Sequence, residues 1–162
     1  HKILNLKSFF IEKAIYESCL IKKKIVEKDE KENDIRKILN FGHTFAHAYE
    51  ASLSYSKKLN HGEAVILGIM TASKFSLRLK YLNKKDFDLI EKHLNKAKLI
   101  KELVTFFSKK DIKKIISFMI KDKKNYSKKI NLILLKKIGL PYLNQNFTSN
   151  RVELFLKNEL SN

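Results

Sequence analysis

Apolar residues recur along this chain at helical spacing, and residues that break helices are scarce. Glycine occurs 4 times and proline once in 162 residues, so little interrupts the pattern. We therefore expect a mainly α fold, a multi-helix bundle. The periodicity predicts helices over residues 6–28, 35–53, 62–81, 84–95 and 109–120, and a last helix that Thr148 or Ser149 could cap and that runs to about residue 160.

Three of these helices carry further signals. The first has one apolar stripe, made of Phe9, Phe10, Ala14, Ile15 and Cys19. The third is apolar on all sides from Ala64 to Met70, which is typical of a buried helix. Ser108 lies near the expected start of the fifth helix, as Asp86 does for the fourth.

The stretch after residue 129 has a different pattern. The run from Ile130 to Ile138 is rich in Ile and Leu, and Gly139 and Pro141 follow it. Such a run, bounded by turn residues, predicts a strand. We expect a small strand or hairpin element near residues 129–147.

Composition limits the class of protein. A hydrophobic content of 44% argues against disorder, and the length suits one domain over residues 1–162. The single cysteine, Cys19, excludes an intramolecular disulfide and suits the cytoplasm. No apolar run reaches the ~20 residues of a membrane span, and no signal-peptide pattern opens the chain. Because the chain begins with His1, we expect a fragment or a processed piece.

The net charge of +17 raises the question of nucleic-acid binding. The basic residues are almost all lysine, with arginine only at positions 36, 78 and 151. Base readout and bidentate phosphate contacts favour arginine. We therefore expect no nucleic-acid partner, although the charge would attract an anionic substrate.

Histidines form the strongest chemical signal. His43 and His47 are four residues apart, so a helix would place them on one face. His61 lies where the next helix would begin, and imidazoles from adjacent helices are suited to a divalent metal. The alternative is that each histidine is an ordinary core or surface residue. The neighbouring Gly42 and Gly62 weaken that alternative, since glycine lets a backbone or a ligand approach.

A catalytic metal site usually has three protein ligands and an open position. We take His43 and His61 as ligands, with His47 one turn beyond. Glu63 is a local candidate for the third ligand, but two residues after a histidine on a helix its side chain would point elsewhere. The chain is therefore expected to be one ligand short.

Two weaker groups could bind an anion. Arg36 and Asn40 are four apart, so the predicted helix over residues 35–53 would place them on one face, near that of the histidines. The alternative is an exposed helix start, with Glu30 and Glu32 near its positive end. Before the predicted strand comes the polar run Asp122–Asn125, which by itself is more often a solvated loop.

These motifs, in this order, resemble the C-terminal half of the 3-dehydroquinate synthase family. That family has a Lys, then Asp-Glu-x-Glu-x-Gly-x-Arg, then Leu-Asn-Phe-Gly-His-Thr-Phe-Gly-His-Ala. His-Gly-Glu-Ala-Val follows, and later Asp-Lys-Lys before a strand. The matching segments here are Lys22, Asp29–Arg36, Leu39–Ala48, His61–Val65 and Asp122–Lys124. The resemblance implies the C-terminal helical, metal- and substrate-binding domain of a two-domain enzyme.

The family's activity is implied with it. Its members convert 3-deoxy-D-arabino-heptulosonate 7-phosphate to 3-dehydroquinate and phosphate in the shikimate pathway. They use NAD transiently and one divalent metal, zinc or cobalt, and they are usually homodimers. The metal acts as a Lewis acid on the carbon–oxygen bond whose hydride departs.

The resemblance also assigns roles to residues. His43 and His61 match the two metal-ligand histidines. His47 matches a histidine near the substrate phosphate, which shares in proton handling. Glu32 matches an acidic residue near the reacting hydroxyls.

The remaining matches bind substrate. Lys22 and Arg36 match the groups that hold the substrate carboxylate, and Asn40 matches a contact on the phosphate side. One of Lys123 and Lys124 matches a phosphate-binding lysine, and the sequence leaves open which.

The chain also departs from the family. The third metal ligand, a Glu in an Ala-Glu-x-x-Lys motif, has no counterpart, and neither does the NAD-binding domain. We therefore expect no cofactor-binding residues here and no activity from this piece alone. Three family glycines are replaced by Asp34, Ala46 and Lys128. Asp34 and Lys128 would be strained if those positions need a positive φ, whereas alanine in place of glycine at position 46 would have a mild effect on a helix.

Two alternatives stay open. A related sugar-phosphate cyclase or a metal-dependent polyol dehydrogenase would share the fold. A non-catalytic basic module that binds nucleic acid ranks last, because it gives the histidines no role.

Overall fold

The computed structural model describes residues 2–99, 102–121 and 129–161. The chain forms two compact units, residues His1–Asn40 and Phe41–Asn162. The predicted mainly α fold with a small hairpin is confirmed. The assignment of residues 1–162 to one domain stays a prediction.

The first unit consists of one long helix and a short one. Helix α1 spans Ser8–Lys28, and a 3₁₀ helix spans Ile35–Asn40 and contacts it. No residue of α1 is buried. The predicted apolar stripe is therefore largely open to solvent, with Phe9 67% and Ile15 59% exposed.

The second unit contains the remaining regular elements. Its helices are α2 (His43–Ser52), α3 (His61–Arg78), α4 (Lys84–Lys96), α5 (Ile112–Lys121) and α6 (Ser149–Glu159). Its strands are β1 (Lys129–Lys137) and β2 (Leu140–Thr148), and short 3₁₀ turns at Leu103–Thr105 and Lys109–Asp111 precede α5.

Side-chain caps account for several helix starts. The Asn83 side chain accepts a hydrogen bond from the Asp86 backbone N–H at 2.8 Å and begins α4. Ser108 and Asp111 form a capping box before α5. Thr148 is the N-cap residue of α6, as predicted, but its side chain makes no capping bond.

The predicted continuous helix over residues 35–53 is wrong, because the helical conformation is interrupted between Asn40 and His43. Gly42 has a φ of 82°, in the left-handed region that glycine adopts at little cost, and it is the N-cap residue of α2. Apolar periodicity cannot detect this break, because the spacing of apolar residues continues through it.

The two strands form an antiparallel hairpin. The register pairs Ile130 with Phe147 and Leu135 with Pro141, and Gly139 supplies the turn with a φ of 79°. Pro141 therefore lies within the second strand. A proline is tolerated there because a two-stranded sheet consists only of edge strands. Side chains at alternate positions of β1 enter the core, namely Ile130, Leu132 and Leu134.

The core of the second unit lies between the hairpin and the helices α2, α3, α5 and α6. Phe75 of α3 packs on Phe155 with ring centroids 4.6 Å apart. Tyr49 of α2 is fully buried, and its hydroxyl donates to Thr71 Oγ1 at 3.0 Å. Burial raises the pKa of Tyr49 far above its usual value, so the phenol stays protonated.

Helix α3 is buried along much of its length, as its apolar sequence predicts. No helix in the described ranges is long and apolar enough to cross a membrane.

Candidate functional site

Three imidazoles meet where α2 and α3 begin. His43 is the first residue of α2, His47 lies one turn later, and His61 is the first residue of α3. The ring centroids of His43 and His47 are 5.6 Å apart, those of His43 and His61 6.2 Å, and those of His47 and His61 6.5 Å. We call this group the imidazole cluster.

A close backbone contact sets the spacing of the two helices. A Cβ built on Gly68, in the middle of α3, would lie 2.3 Å from the Gly42 carbonyl oxygen. A Cβ on Gly42 would lie 2.6 Å from the Ile69 backbone nitrogen. Only glycine at both positions allows this approach.

The expectations for the other glycine positions have different outcomes. Nothing lies within 4 Å of a Cβ built on Gly62, so none of the described backbone approaches it closely, and the approach of a ligand there stays a prediction. Ala46, which replaces a family glycine, is fully buried within α2 and sits in a regular helix. Gly68, which does carry the contact, could have been noticed as a glycine within a buried helix.

Oxygen acceptors face the Nδ1 atoms of two histidines. His61 Nδ1 is 3.0 Å from the Glu50 carboxylate, and His43 Nδ1 is 3.4 Å from the Phe41 carbonyl oxygen. Because these oxygens accept hydrogen bonds, they favour the tautomer with the proton on Nδ1, which leaves the Nε2 lone pair for a ligand. Metal-bound histidines commonly have this arrangement, so His43 and His61 fit a divalent metal.

The described residues do not complete a metal site. Within them, no group of three or more His, Cys, Asp or Glu side chains is arranged to hold a metal ion. Glu63 acts elsewhere, as expected: its carboxylate accepts from the Asn60 backbone N–H at 3.0 Å and caps α3.

Glu50 was missed by the sequence reasoning. Its side chain is 13% exposed, compared with 65% for its partner His61. A signal existed, because Glu50 follows His43 by seven residues and His47 by three. Those spacings place all three on one face of a helix.

In the first unit, the loop after α1 is organised by Asp29. Its carboxylate accepts from the backbone N–H groups of Arg36 at 3.0 Å, Asp34 at 2.8 Å and Asn33 at 2.9 Å. These donors, Arg36 first, hold the pKa of Asp29 below its usual value. Sequence reasoning did not single out Asp29 for this role.

Arg36 and Asn40 do not share a helical face as predicted. They lie in a 3₁₀ helix, where about three residues make a turn, so positions four apart point in different directions. The Arg36 guanidinium donates to the Glu30 carbonyl oxygen, and the Asn40 amide donates to the Glu32 carboxylate. Each pair joins the 3₁₀ helix to the preceding loop.

Backbone strain in this loop falls on a residue other than the predicted one. Glu32 has a φ of 56°, whereas Asp34, which replaces a family glycine, is not in the left-handed region. The other predicted strain, at Lys128, lies outside the described residues.

The remaining predicted substrate-binding residues are lysines. Lys22 is exposed on α1. The run Asp122–Asn125, with Lys123 and Lys124, lies outside the described residues.

Comparison with known proteins decides the family. The sequence profile of the 3-dehydroquinate synthase C-terminal domain matches residues 1–125. This chain belongs to the 3-dehydroquinate synthase family. The matched range contains the whole imidazole cluster and the Asp29 loop.

Two relatives illustrate the match. The chain is 62% identical over 160 residues to the 3-dehydroquinate synthase of Pelagibacter ubique (strain HTCC1062), covering 99% of this chain and 44% of the relative. It is 44% identical over 129 residues to that of Endomicrobium trichonymphae, covering 79% of this chain and 34% of the relative. The chain thus spans less than half the length of these 3-dehydroquinate synthases.

Solved structures agree on the fold. A 2-deoxy-scyllo-inosose synthase complexed with carbaglucose-6-phosphate, NAD+ and Co2+ matches with a TM-score of 0.64 and 24% identity, over 80% of this chain and 36% of its own. A second match is ValA, the 2-epi-5-epi-valiolone synthase of Streptomyces hygroscopicus subsp. jinggangensis 5008 with NAD+ and Zn2+ bound. Its TM-score is 0.65 and its identity 16%, and the match covers 84% of this chain and 36% of ValA.

Proposed function

We propose that this chain is the metal- and substrate-binding part of a 3-dehydroquinate synthase, a carbon–oxygen lyase of the shikimate pathway. The reaction converts 3-deoxy-D-arabino-heptulosonate 7-phosphate to 3-dehydroquinate and phosphate. One observation carries the proposal: in a chain of this family, His43 and His61 meet with each Nδ1 facing an oxygen and each Nε2 left for a ligand.

His43 and His61 would hold one divalent ion, zinc or cobalt. A third ligand, the family's glutamate in Ala-Glu-x-x-Lys, would come from outside these 162 residues. Such an ion polarises a carbon–oxygen bond and so assists the loss of hydride from that carbon. NAD would be held mainly by a domain that these residues do not include.

The basic residues of the first unit suit a carboxylated, phosphorylated substrate. The Arg36 guanidinium offers a planar fork for the carboxylate, and Lys22 adds a second positive charge. Asn40 would contact the phosphate side, and Glu32, which accepts a hydrogen bond from Asn40, would lie near the reacting hydroxyls. One of Lys123 and Lys124 would contact the phosphate.

His47 would move protons. It is exposed, and its ring lies 5.6 Å from that of His43. A solvent-accessible imidazole can exchange a proton with substrate, so His47 would act as a general acid or base without being a ligand.

We further propose a cytoplasmic homodimer that binds neither nucleic acid nor membrane. The net charge of +17 then serves to attract the anionic substrate.

The test uses a full-length protein in which residues 1–162 replace the matching segment of the Pelagibacter ubique relative. Metal content and 3-dehydroquinate formation are measured for the parent chimera, His43→Ala and His61→Ala. Both variants are expected to lose metal and activity. His93→Ala is the matched control, because His93 is exposed on α4 and should leave both unchanged. Equal metal content in the parent and His43→Ala would refute the ligand assignment.

His47→Ala separates proton transfer from metal binding. This variant is expected to retain metal but to turn over about 10²–10⁴-fold more slowly, the usual contribution of a general acid or base. Loss of metal would make His47 a ligand instead.

Two further measurements test which substrate the chimera accepts and whether residues 1–162 are active alone. The chimera is expected to reject sugar phosphates that lack a carboxylate, since Lys22 and Arg36 would have no substrate carboxylate to bind. Turnover of such substrates would favour a related cyclase. The isolated chain, supplied with NAD and zinc, is expected to be inactive, and turnover would refute that.

A further inference from the structure

We propose that Glu50 is a positioning residue that fixes the tautomer and orientation of the His61 ring, an inference that rests on the proposed function. Neither the motifs nor the family resemblance assigned Glu50 a role. Its carboxylate oxygen lies 3.0 Å from His61 Nδ1.

Glu50 is the better anchored of the two partners. Its side chain is 13% exposed, and its neighbours Tyr49 and Ala51 are buried in the core. His61, by contrast, is the first residue of α3, and its side chain is 65% exposed. An exposed side chain at a helix end samples several rotamers, so an ordered partner is needed to hold the ring in one of them.

The direction of the hydrogen bond determines which nitrogen can bind a metal. A carboxylate only accepts, so the Glu50 contact places the His61 proton on Nδ1 and leaves the Nε2 lone pair. The Phe41 carbonyl oxygen favours the same tautomer of His43, so both imidazoles present Nε2 to a ligand.

Helix α2 therefore supplies both a ligand and the support for the ligand on α3. His43, His47 and Glu50 lie on one face of α2, and the contact between Gly42 and Gly68 holds α3 against it. Removing partners of this kind typically weakens metal binding by about 10–100-fold.

The experiment measures Co2+ affinity of the full-length chimera by competition with a chromophoric chelator, together with the visible absorption of bound Co2+. Glu50→Ala is expected to bind Co2+ about 10–100-fold more weakly and to show an altered spectrum. Glu50→Gln keeps an oxygen acceptor and is expected to lose less Co2+ affinity than Glu50→Ala does. The spectrum reports ligand geometry, which a general loss of stability would not change.

Glu159→Ala is the matched control. Glu159 is also a half-buried helical carboxylate in an ion pair, 3.0 Å from Lys74 Nζ. Lys74 lies 13 residues along α3 from His61, about 20 Å at helical rise. This variant should bind Co2+ as the parent does.

The outcomes separate this inference from the proposed function. If His43→Ala loses Co2+ while Glu50→Ala binds it as tightly as the parent and with the same spectrum, the role of Glu50 is refuted and the metal site stands. If the parent binds no Co2+, both are refuted. Should Glu50→Ala fail to fold, Glu50→Gln decides: a severalfold weakening supports the role, and unchanged binding refutes it.

Discussion

Gly68 of α3 lies against Gly42, the N-cap residue of α2, so closely that a Cβ on Gly68 would be 2.3 Å from the Gly42 carbonyl oxygen. His43 follows Gly42 directly, so this contact places one imidazole against the helix that begins with His61. The two glycines thus set the geometry of the imidazole cluster without taking part in its chemistry.

Gly68→Ala should displace α2 from α3. We expect a loss of about 1–3 kcal/mol in the free energy of unfolding, as is usual for overpacking, together with weaker metal binding. Thermal unfolding by circular dichroism and metal content of the chimera check this. Gly62→Ala is the control for stability, since a Cβ there meets nothing within 4 Å. Equal stability of the Gly68→Ala variant and the parent would contradict the prediction.

Ser76 joins α3 to the hairpin. Its hydroxyl donates to the Ala72 carbonyl oxygen at 2.7 Å and accepts from the Leu135 backbone N–H at 3.0 Å, where the strand register is irregular. Ser76→Ala should lower the free energy of unfolding by about 1–3 kcal/mol, because the buried Leu135 N–H loses its acceptor. Urea unfolding of the chimera measures the change.

A serine one turn earlier provides the comparison. Ser73 is fully buried, and its hydroxyl has no hydrogen-bond partner among the described residues. Ser73→Ala should therefore leave stability unchanged or raise it. If the two alanine variants lost equal stability, the hydrogen bonds of Ser76 would not explain its effect.

Lys114 of α5 caps the end of α2. Its ammonium group donates to the Ser52 carbonyl oxygen at 2.7 Å, at the negative end of the helix dipole. Lys114→Met should lower the free energy of unfolding by about 1 kcal/mol. Its exposed neighbour offers a control, Lys113→Met, which should have almost no effect. Chemical unfolding of both variants distinguishes a specific cap from a general effect of charge.

Asp29 should make the loop of the first unit sensitive to acid. The pKa of Asp29 is lowered in the folded state. The stability that its carboxylate gives the loop is therefore fully present above the ordinary aspartate pKa of about 3.9, and it is lost as the pH falls through the lower folded pKa. Amide hydrogen exchange over residues 29–36, corrected for intrinsic rates, should therefore accelerate in that window.

The variant Asp29→Asn tests the cause. It should exchange quickly at neutral pH as well, since a neutral amide is a weaker acceptor for three N–H groups. Slow exchange in this variant would show that the carboxylate does not organise the loop.

The meeting of the three histidines was predictable from their local spacing. His43 and His47 are four residues apart, and His61 begins the next apolar run, so the sequence alone predicted that the three would meet. The identity of the family followed from the same blocks. Glu50 has the same helical spacing, but a carboxylate on a helix face is common, so spacing alone does not distinguish it.

Other features depended on contacts between distant segments. The interruption at Gly42 coincides with a close backbone contact to Gly68, 26 residues later, and apolar periodicity carries no information about that contact. The separate faces of Arg36 and Asn40 follow from the 3₁₀ geometry of residues Ile35–Asn40, which apolar spacing does not distinguish from an α-helix. Side-chain type and helical repeat are local properties, so the amino-acid order was enough to predict that His43, His47 and His61 come together. The partner of each ring was not predictable in this way, because a contact such as that of His61 with Glu50 depends on how two helices pack.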